Sequence, residues 1–149
     1  MKVIMETWYK FLNEAEVKYS GILKLNPSHI VLSELEALQA ILPERAIRLE
    51  SEDLHVTLVH QSYLKPFQSE IKKMKMPTPP PIILDDEIYE RTSPGKRSWA
   101  VRLKNQNQMR EYVKDVMGLI GSPNLDPEPE RRFHVSLANL TGIPKDSVR

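Results

Sequence analysis

The sequence lacks cysteine, an excess of charge and any long apolar run, and each shortage excludes a class of structure or partner. Without cysteine the chain has no disulfide, no thiol nucleophile and no thiolate zinc site, a composition that suits a reducing compartment. No apolar stretch approaches the roughly 20 residues that span a bilayer, so no membrane partner is expected. Residues 1–14 carry charges too closely spaced for the apolar core of a signal peptide, and we expect a cytoplasmic protein.

The near balance of charge also limits the partners. The chain has 21 Lys and Arg residues against 20 Asp and Glu residues, for a formal net charge of +1 at pH 7. Long nucleic acids are bound through many Lys and Arg contacts, so no long duplex is expected, and any phosphate recognition must be local. With 149 residues, the chain has the length of one domain with its own core.

Hydrophobic periodicity and turn residues predict an alternation of helices and strands. The Pro94-Gly95 pair between two strand candidates indicates a hairpin. In chain order we expect a helix over Met5–Val17, a strand over Tyr19–Asn26, a helix capped by Asn26 and ending at Leu42, a strand over Leu54–Gln61, a helix over Phe67–Met76, strands over Ile82–Thr92 and Ser98–Lys104, a helix over Gln106–Ile120 and a last strand over Arg131–Leu140.

These elements predict an α+β fold in which residues 1–149 form a single domain of two similar lobes. The stretch PTPPP at 77–81 can be neither helix nor central strand, so we expect it to be the crossover between the lobes. The sheets should be largely antiparallel.

Two five-residue stretches nearly repeat each other, LHVTL at Leu54–Leu58 and FHVSL at Phe133–Leu137. Side chains alternate between the two faces of a strand. Each stretch therefore has one wholly apolar face and one face that carries a histidine and a hydroxyl. We call the four polar residues the motif residues: His55, Thr57, His134 and Ser136.

Two imidazoles and two hydroxyls in one cleft suit the cleavage of a phosphodiester. A neutral imidazole takes a proton from the attacking oxygen, an imidazolium protonates the departing oxygen, and the hydroxyls donate hydrogen bonds to the non-bridging phosphate oxygens. This chemistry needs no metal or other cofactor. One alternative is a pair of tolerated polar positions on a half-buried sheet, which two copies in matching apolar frames disfavour. The other is a two-histidine metal site, for which neither strand supplies a third ligand.

The motifs HVTL at 55–58 and HVSL at 134–137 resemble those of the two-histidine (2H) phosphoesterases, a superfamily with His-x-Thr/Ser motifs on two pseudo-symmetric lobes. Within it, the run ETWYKFLNE…YSGILKL is most similar to the phage anti-CBASS phosphodiesterases, which cleave cyclic di- and trinucleotide immune signals. The resemblance implies a bilobal, pseudo-symmetric fold in which antiparallel sheets line a central cleft and the helices lie outside. It also implies that the four motif residues are catalytic. For a phage-encoded chain it also implies action in the host cytoplasm.

Three further residues are candidates for binding the substrate. A base needs a flat side chain to stack on, and the resemblance points to Tyr19, at the start of the first strand, and Trp99, just after the hairpin turn. Trp99 has an alternative place in the core, since it belongs to an alternating apolar face of its strand. Arg132 lies two residues before His134 and should project onto the same face, where it either holds a phosphate or lies in solvent.

The expected function is metal-independent cleavage of 3′,5′ bonds in cyclic di- and trinucleotides by paired-histidine acid–base catalysis. A 2′,3′-cyclic phosphodiesterase or RNA end-processing enzyme is the alternative within the same chemistry. A non-catalytic module that sequesters its nucleotide is the alternative outside it. The ligand in each case is a small cyclic nucleotide or oligonucleotide. The sequence leaves open which histidine is the acid, whether water or a ribose 2′-OH attacks, and the oligomeric state.

Overall fold

Strands and helices follow each other along residues 14–148, the part of the chain that the computed structural model describes, in a mixed α+β fold. The strands are β1 (Glu16–Ser20), β2 (Ile22–Asn26), β3 (Ile47–Arg48), β4 (Val56–Val59), β5 (Leu84–Ser93), β6 (Lys96–Leu103) and β7 (His134–Asn139). The α-helices are α1 (His29–Ala40), α2 (Gln61–Leu64), α3 (Gln68–Lys73) and α4 (Gln106–Leu119). Short 3₁₀ turns occupy Ser51–Asp53, Lys65–Phe67 and Pro144–Asp146.

The seven strands of this part of the chain form one antiparallel sheet. Its order is β1-β2-β4-β7-β6-β5, and β3 pairs with β7 beside this path. The expectation of separate sheets is therefore corrected, because a main-chain pairing of Val56 with Val135 joins β4 to β7 at the centre. Each half of the sheet is built from a hairpin, a helix and a central strand: β1, β2, α1 and β4 in the first half, and β5, β6, α4 and β7 in the second.

Two glycines in the left-handed region make the hairpin turns. Gly95, at φ +77°, lies in the predicted turn between β5 and β6. Gly21, at φ +88°, turns β1 back onto β2. The prediction of a single strand over Tyr19–Asn26 is wrong, because glycine adopts positive φ without the steric cost that other residues meet, and here it reverses the chain.

The first two predicted helices differ from what is observed. The helix expected over Met5–Val17 lies mainly outside the described residues, and its end overlaps β1. Helix α1 begins after Ser28 rather than after Asn26, since the Ser28 hydroxyl accepts a hydrogen bond from the main-chain N–H of Val31 at 3.3 Å. A serine in this position satisfies one of the free N–H groups at a helix start.

The core unites the apolar face of the sheet with α1 and α4. Its most buried members include the apolar residues of the two motif strands, none of which is more than 2% exposed: Leu54, Val56, Leu58, Phe133, Val135 and Leu137. Helix α4 adds Met109, Val113 and Val116. Because these residues hold one face of β4 and β7 against the helices, the opposite, polar face of both strands is turned away from the core.

Among the described helices, none is long and apolar enough to cross a membrane.

Candidate active site

The central pairing of the sheet brings the two histidine motifs side by side. Val56 of β4 lies opposite Val135 of β7 in an antiparallel register. One step to either side, each motif histidine lies across from the hydroxyl residue of the other strand. The four motif residues therefore project from one face and form a rectangle with the two histidines on one diagonal. Diagonal neighbours on antiparallel strands are about 7–8 Å apart, a separation from which two imidazole rings can reach a common centre.

Main-chain carbonyls determine which nitrogen of each imidazole carries a proton. His55 Nδ1 lies 2.8 Å from the carbonyl oxygen of Asp53, and His134 Nδ1 lies 3.0 Å from the carbonyl oxygen of Arg132. A carbonyl only accepts hydrogen bonds, so both Nδ1 atoms donate. Nε2 is thus the nitrogen left for proton transfer on each ring. His55 Nε2 lies 3.3 Å from the Thr57 hydroxyl oxygen, which donates to it while the ring is neutral.

The protonation of both histidines is shifted in the same direction. Burial lowers the pKa of His55 and of His134 below the usual range, while the carbonyl bonded to each Nδ1 opposes this shift. Both rings are therefore mainly neutral near pH 7 in the free protein. A bound phosphate anion favours the charged form and so recruits the proton that an acid–base pair requires.

The motif residues line a cleft of about 770 Å³, a size found for small-molecule sites. The loop 127–132 forms one end together with His60 and Tyr63, which follow β4. Residues of the C-terminal segment 144–148 form the other end with Leu49 and Asp53. A phosphate group bound at the histidines would therefore have cleft residues on both sides of it.

Cationic residues outnumber the acidic residues Asp53, Glu128 and Glu130 in the lining of this cleft. Arg102 of β6 is the cross-strand partner of His134. Four further cationic residues contribute to the lining: Arg91, Arg131, Arg132 and Lys145. Arg132 lines the cleft although β7 begins only at His134, so the strand alternation used to place it does not extend to this residue. Arginine and lysine at these positions favour an anionic ligand with more than one charge.

The loop 127–132 is held in place by its own ion pairs. Arg131 forms two hydrogen bonds with the Glu128 carboxylate, at 2.7 and 2.8 Å, so its charge is compensated locally. Arg110 of α4 donates to the Asp126 carboxylate at 3.0 Å and to the carbonyl oxygen of Arg131 at 2.7 Å. These contacts give the loop a defined position at the end of the cleft.

An aromatic residue that no sequence motif indicates, Tyr89, lies beside His134. The Tyr89 ring of β5 meets the His134 ring edge-on, with centroids 6.5 Å apart, and the Arg102 guanidinium lies 4.3 Å from the Tyr89 centroid. Alternation along β5 would have placed Tyr89 and Arg91 on one face, and this signal was present in the sequence. Only the pairing of β5 and β6 with β7 shows that the face is the one with the histidines.

The two aromatic residues proposed to stack on a base are not in the cleft. Trp99 is 3% exposed and belongs to the core, which is the alternative considered for it. Tyr19 packs against the core from β1, and β2 separates that strand from β4. Both expectations are corrected because both side chains lie on the core face of the sheet. Trp99 alternates with the buried residues Val101 and Leu103 of β6, and Tyr19 is the cross-strand partner of the buried Leu23. His60, which parity places away from His55, lines the cleft because β4 ends at Val59.

Two glutamines fix the main chain on which the motifs depend. Gln106, in the first turn of α4, donates to the carbonyl oxygen of Phe133 at 2.7 Å and accepts from its N–H at 2.7 Å. Gln39 of α1 donates to the carbonyl oxygens of Leu49 at 3.0 Å and Leu137 at 2.9 Å. Each helix is thereby tied to the second motif strand by side-chain hydrogen bonds as well as by apolar packing.

Within residues 14–148, no group of three or more His, Cys, Asp and Glu side chains is arranged to hold a metal ion. A second, smaller cavity of about 350 Å³ lies between residues 14–17 and 76–81 and shares no residue with the cleft.

No family model, curated protein or solved structure matches the chain. The function must therefore be inferred from the geometry of the cleft itself.

Proposed function

We propose that the protein is a metal-independent phosphodiesterase that uses its two motif histidines as acid and base. The observation that carries this proposal is the register of β4 against β7, which turns both His-x-hydroxyl motifs to one face of the sheet and into one cleft. An isolated histidine on a half-buried strand has many structural explanations. Here two histidines each donate from Nδ1 to a main-chain carbonyl oxygen, and each has a hydroxyl residue on the same strand face. Together they form a matched set for proton transfer at one centre.

The proposed reaction uses each part of this set. One neutral imidazole takes the proton of the attacking hydroxyl, either water or a ribose 2′-OH, while the protonated imidazole gives its proton to the departing oxygen. Thr57 and Ser136 donate hydrogen bonds to the non-bridging oxygens. Arg102, across from His134, stabilises the charge that develops there.

The arrangement of elements supports the resemblance to the 2H phosphoesterases. Hairpin, helix and central strand succeed each other in both halves of the sheet, and the strand order is unchanged when the halves are exchanged. This is the topology expected of two pseudo-symmetric lobes that meet at their motif strands. We therefore propose the bilobal 2H fold as the finer description of this α+β protein.

For the substrate we propose cyclic di- and trinucleotides cleaved at a 3′,5′ bond, as in the phage anti-CBASS enzymes. The cleft continues on both sides of the histidines, which suits an internal diester with a nucleoside on each side. Arg91 and Lys145 lie in the lining with Arg102, which suits a ligand with more than one phosphate. Tyr89 replaces Tyr19 and Trp99 as the residue proposed to hold a base. Such signals are cytoplasmic, and so is the proposed site of action.

The first prediction tests the reaction and the substrate together. Purified protein in excess EDTA should convert 3′,3′-cyclic dinucleotides to linear products, because no step requires a metal. His55→Ala and His134→Ala should each reduce the rate by at least about 10²-fold, since each removes one proton-transfer group. Chromatographic analysis of the products formed from a panel of cyclic di- and trinucleotides and from 2′,3′-cyclic AMP measures both the substrate preference and the loss of rate in the variants.

The possible outcomes separate the candidate functions. Turnover of 2′,3′-cyclic AMP alone would identify the end-processing alternative. Binding of a cyclic nucleotide by the wild type without any product would contradict an enzyme and favour a sequestering module. As a matched control, His29→Ala removes a histidine of α1 that is not part of the cleft lining, and it should leave the rate unchanged.

A further inference from the structure

The tyrosine, tryptophan and phenylalanine side chains of residues 14–148 divide into two groups. Most of them belong to the core or pack against it: Tyr19, Phe67, Trp99, Tyr112 and Phe133. The others, Tyr63 and Tyr89, line the cleft instead. An aromatic ring that faces a cleft is accessible to a ligand, and stacking on such a ring suits any nucleobase.

These two rings lie on opposite sides of the second motif strand. In the sheet, β4 borders β7 on one side, and β6 and then β5 follow on the other. Tyr63 belongs to α2, which comes directly after β4, whereas Tyr89 belongs to β5 and meets the His134 ring edge-on. The two tyrosines thus approach the motif residues from different directions, as the two nucleosides of an internal phosphodiester would.

The short helix that carries Tyr63 is held from three directions. Leu64 is completely buried in the core, and the His60 N–H donates to the Glu128 carboxylate at 3.3 Å. The side chain of Gln61 lies next to the β1–β2 turn. Helix α2 is therefore fixed between the core, the loop 127–132 and this turn, while the Tyr63 side chain remains 40% exposed.

The cleft walls near Tyr63 are apolar. Ile22, which follows the β1–β2 turn, lines the cleft, and so do Pro127 and Pro129 of the loop that the His60 N–H contacts. Ligand sites that hold flat, apolar groups are typically lined by aliphatic and aromatic side chains. Tyr63 with these three residues therefore has the surface that a nucleobase requires.

The charges at this end of the cleft are balanced. Glu128 and Glu130 lie in the same stretch of the lining as Arg131 and Arg132, and Glu128 is paired with Arg131 by hydrogen bonds of 2.7 and 2.8 Å. In the rest of the lining, Lys and Arg residues outnumber the acidic residue Asp53. The end at Tyr63 therefore suits a neutral group, such as a base, better than it suits a further phosphate.

We propose that Tyr63, Ile22, Pro127 and Pro129 form a second base subsite, so that the cleft holds one nucleobase on each side of the cleaved phosphate. The proposal rests on the proposed function, in which Tyr89 holds the other base. It restricts the substrate to units with a nucleoside on both sides of the diester, and 2′,3′-cyclic AMP, which has a single base, can occupy only one of the two subsites.

A cyclic dinucleotide that lacks one base tests the proposal through the ratio of its two products. In an analogue of 3′,3′-cyclic di-AMP without one adenine, the remaining adenine lies on the 3′ side of one diester bond and on the 5′ side of the other. Cleavage of one bond therefore places this adenine at Tyr63, and cleavage of the other places it at Tyr89. The two linear products differ in the position of the adenine, and chromatography measures their ratio.

The variants should change this ratio in opposite directions. Tyr63→Ala should change it by about 5–150-fold, the effect of losing one stacked base, and Tyr89→Ala should change it the other way. Tyr63→Phe keeps the ring and should leave the ratio as in the wild type. Leu119→Ala removes an exposed apolar side chain of α4 outside the cleft lining and should also leave it unchanged. Because both bonds belong to one molecule, a general loss of stability or rate does not alter the ratio.

Other outcomes decide against the proposal in distinguishable ways. An unchanged ratio in Tyr63→Ala, or shifts of the same direction in Tyr63→Ala and Tyr89→Ala, overturns the second base subsite while the phosphodiesterase stands. If the wild type leaves intact 3′,3′-cyclic di-AMP uncleaved, the proposed function is overturned. Calorimetric titration with the same dinucleotide then decides on the subsite, since weaker binding by Tyr63→Ala supports it and equal binding overturns it.

Discussion

Thr57 and Ser136 occupy the diagonal of the motif rectangle that the two imidazoles leave open. Removal of either hydroxyl with little change of shape, in Thr57→Val or Ser136→Ala, should lower kcat by about 10²–10³-fold, because one donor to the developing charge is lost. Thr57→Ser keeps the donor and should retain most activity. Steady-state kinetics measures the effect, and a loss in kcat as large for Thr57→Ser as for Thr57→Val would contradict a hydrogen-bonding role.

The motif residues were identifiable one by one because their signal is local. His55 and His134 stand in nearly identical pentapeptides, and parity alone gives the hydroxyl that shares each face. Tyr89 and Arg102, in contrast, do not belong to a repeated sequence motif. Their relation to His134 depends on the pairing of three strands from different parts of the second half of the chain, which no local pattern reveals.

The C-terminal segment after β7 is an element that depends on one buried side chain. Asn139 has no exposed surface, and its amide donates to the carbonyl oxygen of Ile143 at 2.7 Å and accepts from the N–H of Gly142 at 2.6 Å. Farther along, the Val148 N–H donates to the Ser98 hydroxyl. These bonds fold residues 144–148 back so that they line one end of the cleft.

Gly142 gives a prediction for this segment. It has φ +78°, and a Cβ there would lie 2.8 Å from Cγ2 of Ile47. Gly142→Ala should therefore cost both the strain of the left-handed backbone, about 1–2 kcal/mol, and the displacement of a branched side chain. Gly95→Ala is the matched control, since Gly95 has φ +77° and nothing within 4 Å of the added atom.

The free energy of unfolding from urea titrations compares these two variants. Gly142→Ala should be destabilised more than Gly95→Ala, and its activity should also fall because the segment lines the cleft. Equal losses of stability would show that Ile47 moves aside without cost. Undiminished activity in Gly142→Ala would show that the segment does not contribute to the site.

Local turn chemistry explains which elements could be predicted. Pro94-Gly95 marks the β5–β6 hairpin because proline and glycine favour the two central turn positions, and the apolar periodicity of Gln106–Leu119 marks α4. Gly21 stands alone within an alternating stretch, and the two-residue strand β3 has too few residues for any period. For that reason the sequence did not predict the β1–β2 turn or strand β3.

At the scale of the whole molecule, the two buried imidazoles make the free energy of unfolding depend on pH. Folding lowers the pKa of both rings, so the unfolded chain, with imidazoles titrating near about 6.5, binds protons more readily than the folded protein below that pH. The free energy of unfolding should therefore fall as pH decreases from about 6.5 through the folded pKa values, and these rings should have no effect at higher pH.

A double variant isolates this contribution from that of the carboxylates. His55→Gln with His134→Gln should lose less stability than the wild type between about pH 7 and pH 5, as measured by urea unfolding at each pH. Parallel decreases in the two proteins would show that the rings are solvated and titrate in the folded protein as they do in the unfolded chain.

Residue type and order were enough to predict the α+β class, most elements of the second half and the face that each motif histidine shares with a hydroxyl residue, because faces of strands and helix periods are local properties. The single continuous sheet, the side-by-side position of β4 and β7, the core position of Trp99 and the charges around each imidazole were decided only in the folded chain. They depend on register between strands far apart in sequence, and the free energy that selects a register comes from burying the apolar faces of all the strands at once.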